Sequence, residues 1–184
     1  LLKKKDVLVI GPGLGKAYDK KIIINFIEQF NGPIIFDADA ISIFKNNKSF
    51  IYKLLMKKKN LVITPHEGEF KRIFKKKSQS KIFECLSASK LINNTVLFKG
   101  NDTVICFKDK SIYINDNSKK SLATAGSGDI LCGLIAGLVA QKMNFKKAIL
   151  AAVYIQGELS NIEKNITAED FIGSISNILS ILKK

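Results

Sequence analysis

The chain has 184 residues, 46% hydrophobic and 25% charged, which is the composition of an ordinary globule long enough to build one domain, 1–184, around a real core. Its longest apolar stretches, 130–139 and 148–155, are too short to cross a bilayer, so no membrane partner is expected. The net charge of +14 raises nucleic acid as a partner, yet Arg72 is the only arginine, and base readout and bidentate phosphate recognition favour arginine over lysine; no nucleic-acid partner is expected.

Residues 7–10 form a short apolar run that stops at Gly11-Pro-Gly-Leu-Gly15, a strand ending in a tight turn. Residues 20–30 carry apolar side chains at helical spacing, and Asn31-Gly32-Pro33 stops them. Residues 34–36 read as a buried strand leading into Asp37-Ala-Asp-Ala40, after which 41–44 begin a helix. A third strand, 61–63, ends at Thr64-Pro-His-Glu-Gly-Glu-Phe70, with the acids displayed at a helix start. A helix is expected over 82–93 and a strand over 95–99, ending at Gly100. Residues 103–107 and 111–114 alternate like a hairpin turning at 108–110. Two long apolar helices, about 127–142 and 145–161, and a final helix over 168–182 complete the chain. Strands alternating with helices predict an α/β fold, a mostly parallel sheet with helices on both faces and ligands at the carboxyl ends of its strands. Cys85, Cys106 and Cys132 are widely spaced with no CxxC pair, which fits reduced thiols of a cytoplasmic protein better than disulfides or a zinc site; no secretory signal is visible.

The segment LATAGSGDILCG at 122–133 is a small-residue loop opening a helix. Free backbone N–H groups and the positive helix end make such a terminus an anion site, and Gly126 and Gly128 allow a phosphate to approach the backbone. An acid there, Asp129, repels a phosphate but makes sense as the general base for a hydroxyl that attacks one. The alternative is an acid that serves only the helix dipole. Other strand-end motifs carry the same two-sided reading. Gly11–Gly15 lacks the spacing of a dinucleotide fingerprint or a P-loop, but admits a ligand close to the backbone. His66, the only histidine, is a ligand contact or a structural residue; Glu67 and Glu69 are contacts or first-turn acids. Lys99, before Gly100-Asn101-Asp102-Thr103, reaches a phosphate or sits beside a plain turn. Asp37 and Asp39 orient a hydroxyl or water-bound Mg2+, or bond their own backbone.

Taken together, GPGLG at 11–15, DADAI at 37–41, TPHEGEF at 64–70, KGNDTVI at 99–105 and ATAGSGDILCG at 123–133 resemble the NAD(P)H-hydrate dehydratase family, within the ribokinase-like fold. The segments stand in the family's order and cover nearly the whole chain. The resemblance implies an ADP- or ATP-dependent lyase that repairs hydrated NADH and NADPH, with Mg2+ bridging the phosphates. It implies nucleotide contacts at Lys99, Gly100, Asn101, Asp102, Thr103, Thr124, Ala125, Gly126, Ser127 and Gly128. It implies substrate contacts at Gly13, His66, Glu67, Gly68, Glu69 and Phe70, with Asp129 beside the ring hydroxyl as the catalytic base and no protein-built metal site. A homo-oligomer and a functional link to an NAD(P)H-hydrate epimerase activity are also expected. Family members carry further β–α units before the GPGLG strand, so the domain is expected to be incomplete at its N-terminus. The competing expectations are a ribokinase-like vitamin-precursor kinase, which would release a stable phosphorylated product rather than inorganic phosphate, and an inactive remnant.

Overall fold

Three short runs, Leu8–Ile10, Ile34–Phe36 and Leu61–Ile63, are apolar at every position, the pattern of strands covered on both faces rather than one. In the computed structural model they become β1, β2 and β3, each paired in parallel with the next. Every side chain of β2 and β3 is buried, as are all four residues of β4, Thr95–Phe98. The structure describes residues 5–15, 17–75, 78, 80–117, 126–162 and 168–182. These divide between two compact units, Leu1–Gly100 with Val104–Ile114 and Asn101–Thr103 with Asn115–Lys184.

In the first unit, the sheet runs β1-β2-β3-β4-β5-β6 in sequence order. β1 to β4 are parallel, and β5, Thr103–Cys106, turns antiparallel to β4. β6, Ile112–Asn115, is the outer strand and leaves Ile112, Tyr113 and Ile114 exposed. The connecting helices are fixed by ordinary local chemistry. α1, Lys20–Gln29, starts where the Asp19 carboxylate accepts from the Lys21 N–H at 2.9 Å, and it buries Ile23 and Ile27, one turn apart. α2, Ala38–Ser42, begins three residues earlier than its sequence suggests, because Asp37 already stands at its N-cap. α3, Lys48–Met56, has no counterpart in the sequence reading; it buries Ile51, Leu54 and Leu55 beneath a lysine-rich exterior. α4 spans Glu67–Ile73, and α5, Lys81–Ile92, opens on a Ser80 cap and closes on Asn93 in the left-handed region.

Buried Asn94 ties these layers together. Its amide donates to the carbonyls of Leu55 at 2.8 Å and Lys58 at 3.0 Å, and its oxygen accepts from the Leu61 N–H at 3.3 Å. Phe70 of α4 stacks on Phe98 of β4, with ring centroids 4.2 Å apart and 2° between planes. All three cysteines are buried and stand outside any disulfide. The Cys85 thiol donates to the carbonyls of Val96 and Val104, and its contact with Cys106 together with burial pushes its pKa up, which keeps it protonated.

The second unit is helical. α6, Ser127–Ala140, α7, Phe145–Ile162, and α8, Ala168–Leu182, pack on one another through Ile155, Leu159 and Ile178. Among the described residues no helix is long and apolar enough to cross a membrane.

The tightest approach in the first unit is at Gly11, whose φ is +128° and whose missing Cβ would lie 1.7 Å from the Asp37 carbonyl oxygen. Gly11→Ala is therefore expected to destabilise by about 3 kcal/mol or more, through backbone clash and strain together. Urea unfolding of the variant checks this, and a loss under about 1 kcal/mol would contradict the close approach.

Candidate active site

Parallel register brings the ends of four strands to one edge of the sheet. Ile10, Phe36, Ile63 and Val96 lie side by side in that register, so the polar residues that follow β1, β2, β3 and β4 emerge together. The backbone continues the ladder past the strands: the Asp37 N–H donates to the Ile10 carbonyl, and Thr64 N–H to the Phe36 carbonyl. The Lys99 N–H then donates to the Pro65 carbonyl at 2.9 Å.

The glycine loop after β1 is held by a carboxylate. Gly11, Gly13 and Gly15 all have positive φ, the Leu14 N–H closes the turn onto the Gly11 carbonyl, and the Gly15 N–H donates to Asp39 Oδ2 at 2.9 Å. Asp39 thus bonds backbone, as one of its two sequence readings allowed, though the backbone of another loop. Gly13 has no neighbour within 4 Å of the position a Cβ would take, so this part of the loop stands open.

Asp37 and Lys99 form the electrostatic centre. Asp37 is 1% exposed, and Lys99 Nζ stands 2.8 Å from its Oδ1 and 3.8 Å from Glu69 Oε2. Glu69 is 6% exposed and accepts from the His66 N–H at 2.9 Å, while His66 Nδ1 accepts from the Gly68 N–H at 2.9 Å and the Glu69 N–H at 3.4 Å. This reciprocal capping box starts α4, with histidine in the role usually filled by serine or threonine. Because Nδ1 accepts, the ring proton of the neutral imidazole sits on Nε2, which lies 3.4 Å from Glu69 Oε1. The His66 side chain remains 53% exposed, and Glu67 pairs with Lys71 at 2.9 Å on the outer surface of the helix. Phe70 faces the core. Of the five residues 66–70, His66, Glu67 and Gly68 therefore present themselves to solvent, while Glu69 and Phe70 support them from below. The Thr64 hydroxyl, fully buried at the end of β3, has no hydrogen-bond partner among the described residues. Gly100 is exposed beyond Lys99.

In the second unit, Asn101 and Asp102 are exposed and Thr103 is buried. Thr124 and Ala125 lie outside the described residues. Gly126 is the N-cap of α6 in the left-handed conformation, φ 87°, and among the described residues no side chain caps this end. The first-turn N–H groups of Ser127 and Gly128 head the helix, with the exposed Asp129 carboxylate beside them. Asp129 has no hydrogen-bond or ion-pair partner among the described residues. It borders a cavity of about 500 Å³ whose walls are mostly apolar and include Ile130, Leu134, Leu138 and the bare backbone of Gly133 and Gly137, with Gln141 as a second polar side chain. Polar N–H donors, one unengaged acid and an adjoining apolar cavity are the components of a site that binds an anion and moves a proton.

A family model described as NAD(P)H-hydrate dehydratase matches residues 1–179. The chain is 29% identical over 181 residues to the bifunctional NAD(P)H-hydrate repair enzyme Nnr of Thermofilum pendens, covering 96% of this chain and 34% of that one. It therefore spans about a third of the length of that relative. The ADP/ATP-dependent NAD(P)H-hydrate dehydratase of Bacillus subtilis, co-crystallised with ATP/Mg2+ and soaked with CoA, superposes with a TM-score of 0.82 at 24% identity, over 97% of this chain and 67% of that one. A ribokinase of Thermotoga maritima gives a TM-score of 0.66 at 16% identity, over 96% and 58%. These likenesses show the ribokinase-like α/β fold.

Removing the cation from the buried pair tests the electrostatic centre. Lys99→Met is expected to cost about 3 kcal/mol, because it removes the ammonium 2.8 Å from the buried Asp37 carboxylate, whereas Asp37→Asn with Lys99→Met recovers most of that loss. A double-mutant cycle on unfolding free energies checks the coupling, and additive single effects would contradict it.

Proposed function

Since the chain belongs to the NAD(P)H-hydrate dehydratase family, we propose that it returns the S form of hydrated NADH and NADPH to the intact dihydronicotinamide, using ADP or ATP as phosphoryl donor. One observation carries the reading beyond family membership: α6 opens on a glycine-started turn that no side chain caps among the described residues, with an exposed acid, Asp129, in its first turn. Asp129 takes the proton of the ring hydroxyl. That oxygen bonds the terminal phosphorus as the bridging P–O bond to the nucleotide breaks, and the N–H groups at 126–128 take up the charge on the phosphoryl oxygens. The ring C–O bond then breaks, phosphate departs in place of the far poorer leaving group hydroxide, and loss of a ring proton restores the double bond.

The same reading gives nucleotide contacts to Lys99, Gly100, Asn101, Asp102, Thr103, Thr124, Ala125, Gly126, Ser127 and Gly128. Gly13 and the 66–70 segment contact the damaged dinucleotide. Mg2+ fits as an ion carried by the nucleotide phosphates, whose charge it neutralises. Among the described residues no group of three or more His, Cys, Asp or Glu is placed to hold a metal by itself. The ATP/Mg2+ in the Bacillus subtilis crystals and the double function in the name of the Thermofilum pendens relative support the donor and an epimerase activity as partner.

Asp129→Asn is expected to leave ADP affinity nearly intact and to lower turnover at least about 100-fold, measured as NADH recovered from its hydrate. Turnover within a few-fold of the parent would reduce Asp129 to a helix-dipole acid. His66→Ala is expected to raise the KM for hydrated NADH roughly tenfold at an unchanged KM for ADP, and to cost about 1 kcal/mol of stability as the cap is lost. His66→Asn, which can still cap, separates the two effects by restoring the melting temperature without restoring the KM.

A further inference from the structure

Beside the glycine loop, the first unit contains a second cavity, of about 530 Å³, that the reading above leaves unused. Gly15 and Asp39 line it together with three cations from separate segments: Lys20 of α1, Lys45 between α2 and α3, and Arg72 of α4. Two of them are held by neutral partners. Arg72 donates to Ser42 Oγ at 3.1 Å, and Lys20 Nζ to Asn47 Oδ1 at 3.0 Å. Among the described residues no carboxylate pairs with Lys20, Lys45 or Arg72, and the one acid of the lining, Asp39, already accepts from the Gly15 N–H. The cavity therefore carries a surplus of two positive charges with unused donors, including the chain's only guanidinium.

We propose that this cavity binds the 2′-phosphate of the dinucleotide, and so gives the phosphorylated substrate preference over the unphosphorylated one. The proposal rests on the dinucleotide-repair reading. A phosphate monoester is close to a dianion at neutral pH, matching the surplus charge, and a planar guanidinium meets its oxygens bidentately. A pyrophosphate, with one charge per phosphate, is more often met by backbone N–H groups at a helix start. The volume lies within the range of small-molecule sites and exceeds the needs of a lone phosphate, leaving room for the ribose that bears it.

Binding of the unhydrated dinucleotides to the full-length protein tests the site without relying on catalysis. Calorimetric titration with NADPH and with NADH is expected to show NADPH bound at least about tenfold more tightly at low salt. Arg72→Gln and Lys45→Gln should each remove most of that preference, with NADH affinity, ADP affinity and melting temperature unchanged. 2′,5′-ADP should compete with NADPH, whereas inorganic phosphate at the same concentration should not. Equal binding of NADPH and NADH, a preference that survives both substitutions, or equal competition by inorganic phosphate would each overturn the assignment. Dehydration of both hydrates without preference would remove this inference alone. NADPH selectivity lost in Arg72→Gln, in a protein that dehydrates neither hydrate, would keep the phosphate site and remove the repair reading.

Discussion

The Lys99–Asp37 contact is the interaction on which the first unit's strand-end edge depends. Asp37 is almost fully buried at the end of β2, where an uncompensated carboxylate would be costly, and Lys99 at the end of β4 is the cation that makes its burial tolerable. The same ammonium stands near Glu69, whose other contacts start α4, so one charge holds two strands and a helix in a fixed relation. Gly11 adds the steric half of this constraint. Only a residue without a Cβ lets the turn after β1 rest on the Asp37 carbonyl, and Asp39 then fixes the far end of that turn through the Gly15 N–H.

Much of this order was legible in the chain, and the exceptions have identifiable causes. β2 and β3 announce themselves because strands buried on both faces are apolar throughout, and β4 departs from that pattern only at Thr95. α3 did not, because its buried Ile51, Leu54 and Leu55 are interleaved with lysines and lie between short linkers that resemble loop. α2 was placed late since Asp37 is both a strand-end acid and a helix N-cap, and sequence patterns show only the first role.

The site divides in the same way. The helix start at 126–129 and its first-turn acid were readable, because a glycine ahead of a long apolar helical run marks an N-terminus. The fine division of 66–70 was not. Alternation of exposed His66 and Glu67 with buried Glu69 and Phe70 follows from the capping box and from the Phe70–Phe98 stack, and both are tertiary facts. Asn94 carries no motif at all, yet three of its hydrogen bonds fix the connections around β3.

Strand order has a consequence for assembly. β1 to β4 join the sheet in chain order, so each strand pairs with the one that precedes it in sequence. The ion pair reaches further, joining partners 62 residues apart. Burying the Asp37 carboxylate and seating β4 are therefore one event: a sheet of β1 to β3 alone presents that acid at its edge without the ammonium that stands beside it in the complete unit.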